Sequence, residues 1–281
     1  MQGTGTQADP YRPENWADFL TVCNISASTY IKFADSDNKV IDFNDIAPAG
    51  LTSEIQITAQ VDLNGWTWKN IRANGITTVI GLYDNATLEN GYIDSAYISN
   101  CYNFIYLSHV QGKSIKNMQI SGEFFGVSFF CHANGTSFAA PTSALSSVGG
   151  TLFVRNSSAA FHLFDTASGG HNKRLENCCF DFDVEAGSFT LGANRGGSMN
   201  NKYKGKIVAP TINLSSGGND VFDIEMSSSA TATNRTSSSY LSIYNSDKMS
   251  VSSAVAGMAG VTEEQMHNAQ YLHDIGFPIG V

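Results

Sequence analysis

The chain has 281 residues, a formal net charge of −9 and only 15% charged residues, its polarity coming instead from Ser, Thr, Asn and 26 Gly. No run of Lys or Arg forms a phosphate-binding stripe, so a nucleic-acid partner is excluded. No apolar stretch approaches the ~20 residues that cross a bilayer, and no basic segment leading into an apolar one is visible, so neither membrane insertion nor a Sec-type signal is expected.

Residues 1–13 read as an extended lead-in. Trp16, Phe19, Leu20 and Cys23 then fall at i, i+3, i+4 and i+7, which predicts a short amphipathic helix inside an N-terminal segment 1–29. Such a helix would cover the open end of a stacked β structure, where unpaired edges and core side chains otherwise meet water. Alternating stretches begin at Tyr30–Phe33 and Lys39–Phe43 and continue at Glu54–Ile57 and Thr67–Ile71. Trp66 and Trp68 share a strand face, with Tyr83, Tyr97, Tyr102 and Tyr106 further on. Exposed, these rings would make a sugar-binding groove with Trp66 and Trp68 as ligand-binding residues. The competing reading places the Trp pair in the core.

An aliphatic–x–Asn phrase followed by an alternating apolar stretch then recurs at Leu88-Glu89-Asn90, Ile98-Ser99-Asn100, Ile115-Lys116-Asn117 and Leu175-Glu176-Asn177, with a looser copy at Met199-Asn200. Short strands and polar turns repeated at roughly coil length predict an all-β fold, a right-handed single-stranded parallel β-helix over 30–251. One coil cannot bury its own apolar side, so each needs a neighbour above and below. Residues 133–150 and 227–239, small and polar, read as loops. Placing Asn200 over Asn177 stacks Tyr203 on Phe180 and Ile207 on Val184 inward, and Lys204 on Asp181 and Lys206 on Asp183 outward.

Asp181, Asp183 and Glu185 alternate along one strand and share its outward face. Paired carboxylates divide the acid and base roles of glycoside cleavage, which makes them the catalytic residues of an enzyme reading. The lysines expected above Asp181 and Asp183 favour the ionised carboxylate, opposite to what a general acid needs. His109, His132, His162 and His171 share no spacing, so no metal site is expected, and no cofactor motif occurs. The five cysteines are irregularly spaced and read as buried free thiols, consistent with a reducing compartment.

Residues 252–281 change character. Thr262-Glu263-Glu264-Gln265 is a capping box opening a helix that Gly276 ends. Met266, Leu272, Phe277, Pro278 and Ile279 form an apolar tail with two open fates: capping the upper end of its own helix, or docking on another chain.

The opening Gly3-Thr4-Gly5-Thr6, then Asp9-Pro10-Tyr11 and Trp16 to Leu20, resembles the entrance to right-handed β-helix domains in virion proteins of tailed bacteriophages. The Glu-Glu-Gln-Met and Ile275-Gly276-Phe277-Pro278 phrases are similar to the tails of such proteins. The resemblance implies a virion fibre, spike or capsid-decorating protein made in the host cytoplasm, with other virion proteins as partners. It also implies a homotrimer and attachment to a host-surface glycan. A carbohydrate-active β-helix enzyme is the alternative.

Overall fold

Apolar residues every second position, interrupted by Asn or Gly, leave the chain one way to bury them: strands that turn sharply and stack. A computed structural model describes residues 1–108, 114–133, 142–166, 173–193, 197–216, 218–234, 241–252 and 257–278. The chain forms a parallel β-solenoid of about seven turns, 55% β, with short helices near its termini. Leu88 lies under Ile115, Ile115 under Leu145 and Leu145 under Leu175, each at most 1% exposed. Burial of each such side chain contributes about 1.5–3 kcal/mol.

The Asn of the recurring phrase makes the corner. Asn90, Asn117, Ser147, Asn177, Asn200 and Asn219 all have left-handed backbone, with φ between 49° and 60°, a region that Asn tolerates better than other side-chain-bearing residues. Two pairs of these corners are joined by their amides: Asn117 Nδ2 donates to Asn90 Oδ1 at 3.0 Å, and Asn219 Nδ2 to Asn200 Oδ1 at 3.0 Å. The copy at Ile98-Ser99-Asn100 belongs to a different corner. Asn100 (φ 51°) donates to Asn74 Oδ1 at 2.9 Å, so Leu88 and Ile98 open two sides of one turn.

The stacking of Tyr203 on Phe180, Lys204 on Asp181, Lys206 on Asp183 and Ile207 on Val184 is as the sequence predicts. The loop reading of 133–150 is corrected. Residues Thr142–Thr166 form a strand in which Leu145 and Val148 point inward and Ser147 takes the corner. A serine there hides the phrase. Likewise Ala230–Asn234 is a strand inside the stretch 227–239, with Ala230 and Ala232 buried.

The lower end is closed by helix α1, Trp16–Val22, whose N-cap Asn15 accepts from the Asp18 amide at 2.9 Å. Phe19 and Val22 are buried, whereas Leu20 is 51% exposed and does not join the covering face as expected. Trp16 and Phe19 pack on Phe33, Phe43 and Trp68, with ring centroids 4.9–5.5 Å apart.

At the upper end the turns shrink. Intervals of 30 residues (Gly149 to Cys179) fall to 16 (Ser242 to Met258). A buried polar spine climbs through this region. Asn201 Oδ1 accepts from the Cys178 amide at 2.7 Å, and Asp220 Oδ1 accepts from the Asn201 amide at 3.0 Å and its Nδ2 at 2.9 Å. The solenoid runs on to Met258–Val261, beyond the expected boundary at 251. The capping box at Thr262 and Gln265 is present, but it opens a helix of only four residues, α2 (Glu263–Met266). Asn268 then caps α3 (Ala269–Asp274), its side chain accepting from the Tyr271 amide, which splits the single helix expected.

Candidate functional site

The strand Cys179–Ala193 carries the carboxylates that an enzyme would need. Asp181 lies 3.1 Å from Lys204 Nζ, and this partner raises the Lys204 pKa. Asp183 lies 3.0 Å from Arg155 and Glu185 4.0 Å from the same guanidinium. That guanidinium sits 3.6 Å above the centre of the Phe153 ring. Lys206 is in register over Asp183 but its Nζ lies 3.2 Å from Glu225, one turn further on. The expected Asp183–Lys206 contact is therefore replaced by Asp183–Arg155, because the turn below offers a longer, forked cation. All three carboxylates are compensated by cations.

Below this strip opens a trough of about 590 Å³. Arg72, Tyr97, Glu123 and Phe153 stand one above another along it, and Asn70 and Asp94 form its side. Gly122 lets the turns close at its floor, since a Cβ there would meet the Ala96 carbonyl oxygen at 2.5 Å. Tyr97 is 46% exposed and its ring lies 5.1 Å from that of Phe125. The trough thus offers aromatic faces, a guanidinium and two carboxylates to one extended ligand.

A second groove, of about 720 Å³, lies on another face. Gly81, Tyr106, His132 and Asp165 stack in successive turns. Tyr83 Oη donates to the Glu54 carboxylate at 2.9 and 3.0 Å. Burial, then this carboxylate, pushes the Tyr83 pKa well above its ordinary value. His132 Nδ1 points toward Asp165 Oδ2 at 3.7 Å, too far for a hydrogen bond. His162 points outward, as its place between inward Phe161 and Leu163 predicts, and burial lowers its pKa.

The remaining predicted residues lie elsewhere. Trp66 and Trp68 are 3% and 0% exposed, so the sugar-binding role is corrected. Trp68 is packed against Trp16 and Phe19 of α1 and Trp66 against Phe33, so neither ring presents a face to a ligand. Trp66 Nε1 donates to the Ala34 carbonyl at 2.8 Å. Met266 and Leu272 pack around the chain's own Ile243, Val261 and Phe277, which is 7% exposed. Of the two fates open to this tail, the structure places it on its own last turns, with Pro278 beside it and Ile279 outside the described residues. His109 and His171 also lie outside them. Cys23, Cys101, Cys131 and Cys178 are buried and in no disulfide, with Cys178 pushed up to about 12 by burial, while Cys179 is exposed. Among the described residues no group of three or more His, Cys, Asp and Glu is placed to hold a metal ion, and no helix is long and apolar enough to cross a membrane.

Comparison with protein-family models, with curated proteins and with solved structures finds no match. The functional reading therefore rests on the flank. Sequence reasoning missed both grooves as assemblies, because their members come from different turns at unequal spacing. The one signal was the cluster of tyrosines from 83 to 106.

Proposed function

We propose that the chain is a virion structural protein of the tailed-bacteriophage β-helix type, a rigid attachment module that meets a host-surface glycan along its flank. The observation that carries this reading is the trough of Arg72, Tyr97, Glu123 and Phe153. It runs along the stacking direction, where a linear chain of sugar rings would find aromatic faces and hydrogen-bonding groups in succession. The neighbouring carboxylates support binding over cleavage. Asp181 and Asp183 are each engaged in an ion pair, with Lys204 Nζ at 3.1 Å and Arg155 at 3.0 Å, contacts that tie neighbouring turns together rather than leave a carboxylate pair open to a scissile bond.

A homotrimer belongs to the same proposal. A slender solenoid has much surface for its volume, and three chains about an axis bury part of it with closed symmetry. The test joins two measurements: light scattering for the native mass, and binding of host-surface polysaccharide by wild type and Tyr97→Ala. A trimer whose polysaccharide binding falls about tenfold on Tyr97→Ala is expected. A folded protein that binds no surface polysaccharide, or one that cleaves it through Asp181 and Asp183, would overturn the reading.

A further inference from the structure

The second groove is chemically unlike the first. Glu54, Tyr83, Tyr102, Tyr106 and His132 line it, and among the described residues no Lys or Arg does. The Tyr83 and Tyr106 rings lie 6.2 Å apart at 58°, Tyr106 stacks on His132 at 5.9 Å and 11°, and Tyr102 lies 6.3 Å from His132. Four rings thus form a continuous wall, with one carboxylate at its foot. We infer that this groove binds an organic ammonium group, quaternary or primary, seated against the tyrosine faces beside Glu54.

Three observations converge on a cation. Aromatic faces carry negative potential and attract ammonium groups within about 6 Å of the ring centre. The Glu54 carboxylate adds a formal negative charge on the same side, and the Tyr83 hydroxyl that holds it is a neutral donor whose raised pKa keeps it so. Space for that carboxylate is built into the strand. Gly81 has ordinary extended backbone, so it is not required for a turn, yet a Cβ on it would collide with Glu54 Oε1 and lie 2.7 Å from the Tyr83 ring. The missing side chain at position 81 leaves the shelf on which the carboxylate rests. The trough that carries the attachment proposal has Arg72 in its wall and lacks this arrangement, so the two sites are independent.

The experiment is a calorimetric titration of the full chain with choline, with its uncharged isostere 3,3-dimethylbutanol, and with glucosamine against N-acetylglucosamine. Choline or glucosamine should bind about tenfold more tightly than its uncharged counterpart. A preference for choline identifies a quaternary head group, and one for glucosamine identifies an amino sugar. Glu54→Gln and Tyr102→Ala should each weaken binding several-fold while circular dichroism is unchanged. Tyr102 is 52% exposed, so its truncation leaves the core intact. Gly81→Ala, which displaces the carboxylate, should mimic Glu54→Gln. Equal affinity for charged and uncharged partners, or no saturable binding of either ammonium compound, would overturn the assignment.

Discussion

The two ends of the solenoid are closed by different chemistry. Below, a single helix lays Trp16 and Phe19 against Phe33, Phe43 and Trp68, a seal made of ring on ring. Above, the apolar seal is small, comprising Ile243, Val261 and Phe277 with half-buried neighbours, and polar contacts brace it. Lys248 lies 2.8 Å from Asp223 and 2.9 Å from Glu263, and Asn245 donates to Asp223 at 2.8 Å. The difference follows from the taper. A turn of 30 residues encloses a wide core that only large side chains can cover, whereas turns of 16 to 22 residues leave little to cover.

The comparison breaks most readily at the base. Phe19→Ala should cost about 3–5 kcal/mol in urea unfolding, because it removes a fully buried ring from the centre of the seal. A loss below that of Phe277→Ala would refute the ranking of the two ends. Next comes the polar spine under the upper seal. Asn201→Leu takes the partner from the buried Cys178 amide and from Asp220, and should cost about 3 kcal/mol. Phe277→Ala should cost about 2 kcal/mol, less than a central ring, since this side chain sits at the edge of a small cluster.

Acid should sharpen the contrast. Hydrogen bonds from Lys248, Asn245 and His267 hold the Glu263 carboxyl below its ordinary pKa. Its contribution is therefore present above the ordinary carboxylate value and lost as pH falls through the lower folded value. The five rings of the basal seal carry no titrating group, and the carboxylates nearby, Asp18, Asp35 and Asp42, lie outside that ring-on-ring contact. Hydrogen exchange measured below about pH 4 should show Met258–Val261 losing protection before Gln60–Asp62. Equal protection of the two strands would sink this prediction. The smallest effect belongs to Lys248→Met. Its pairs are more than a third exposed on one or both sides, so the change in unfolding midpoint should be slight and should vanish in high salt.

Much of this architecture was legible in the residues, and the reasons are local. Asn in left-handed backbone marks a corner wherever it occurs, and period-two alternation gives inward and outward faces, so Asn177 and Asn200 fixed the register of two turns. Where another residue took the corner the signal failed, as at Ser147. The Lys206 partner was misread because register places backbones, while a flexible lysine chooses between carboxylates on either neighbouring turn. The second groove was illegible for a different reason. Glu54, Tyr83, Tyr106 and His132 meet only through the stacking of successive turns, and the space between them depends on an absent side chain at Gly81.

The stacked corners have a consequence for how such a chain tolerates change in length. Successive rungs at Asn90, Asn117, Ser147, Asn177, Asn200 and Asn219 are separated by unequal stretches of sequence, yet each rung rises by one strand spacing of about 4.8 Å. Residues gained or lost between corners bulge outward or pull the wall in, and the turns above and below keep their seating. The scaffold therefore separates growth from alignment: a turn can be lengthened into a new surface feature, or trimmed to narrow the tip, without re-pairing a single strand elsewhere.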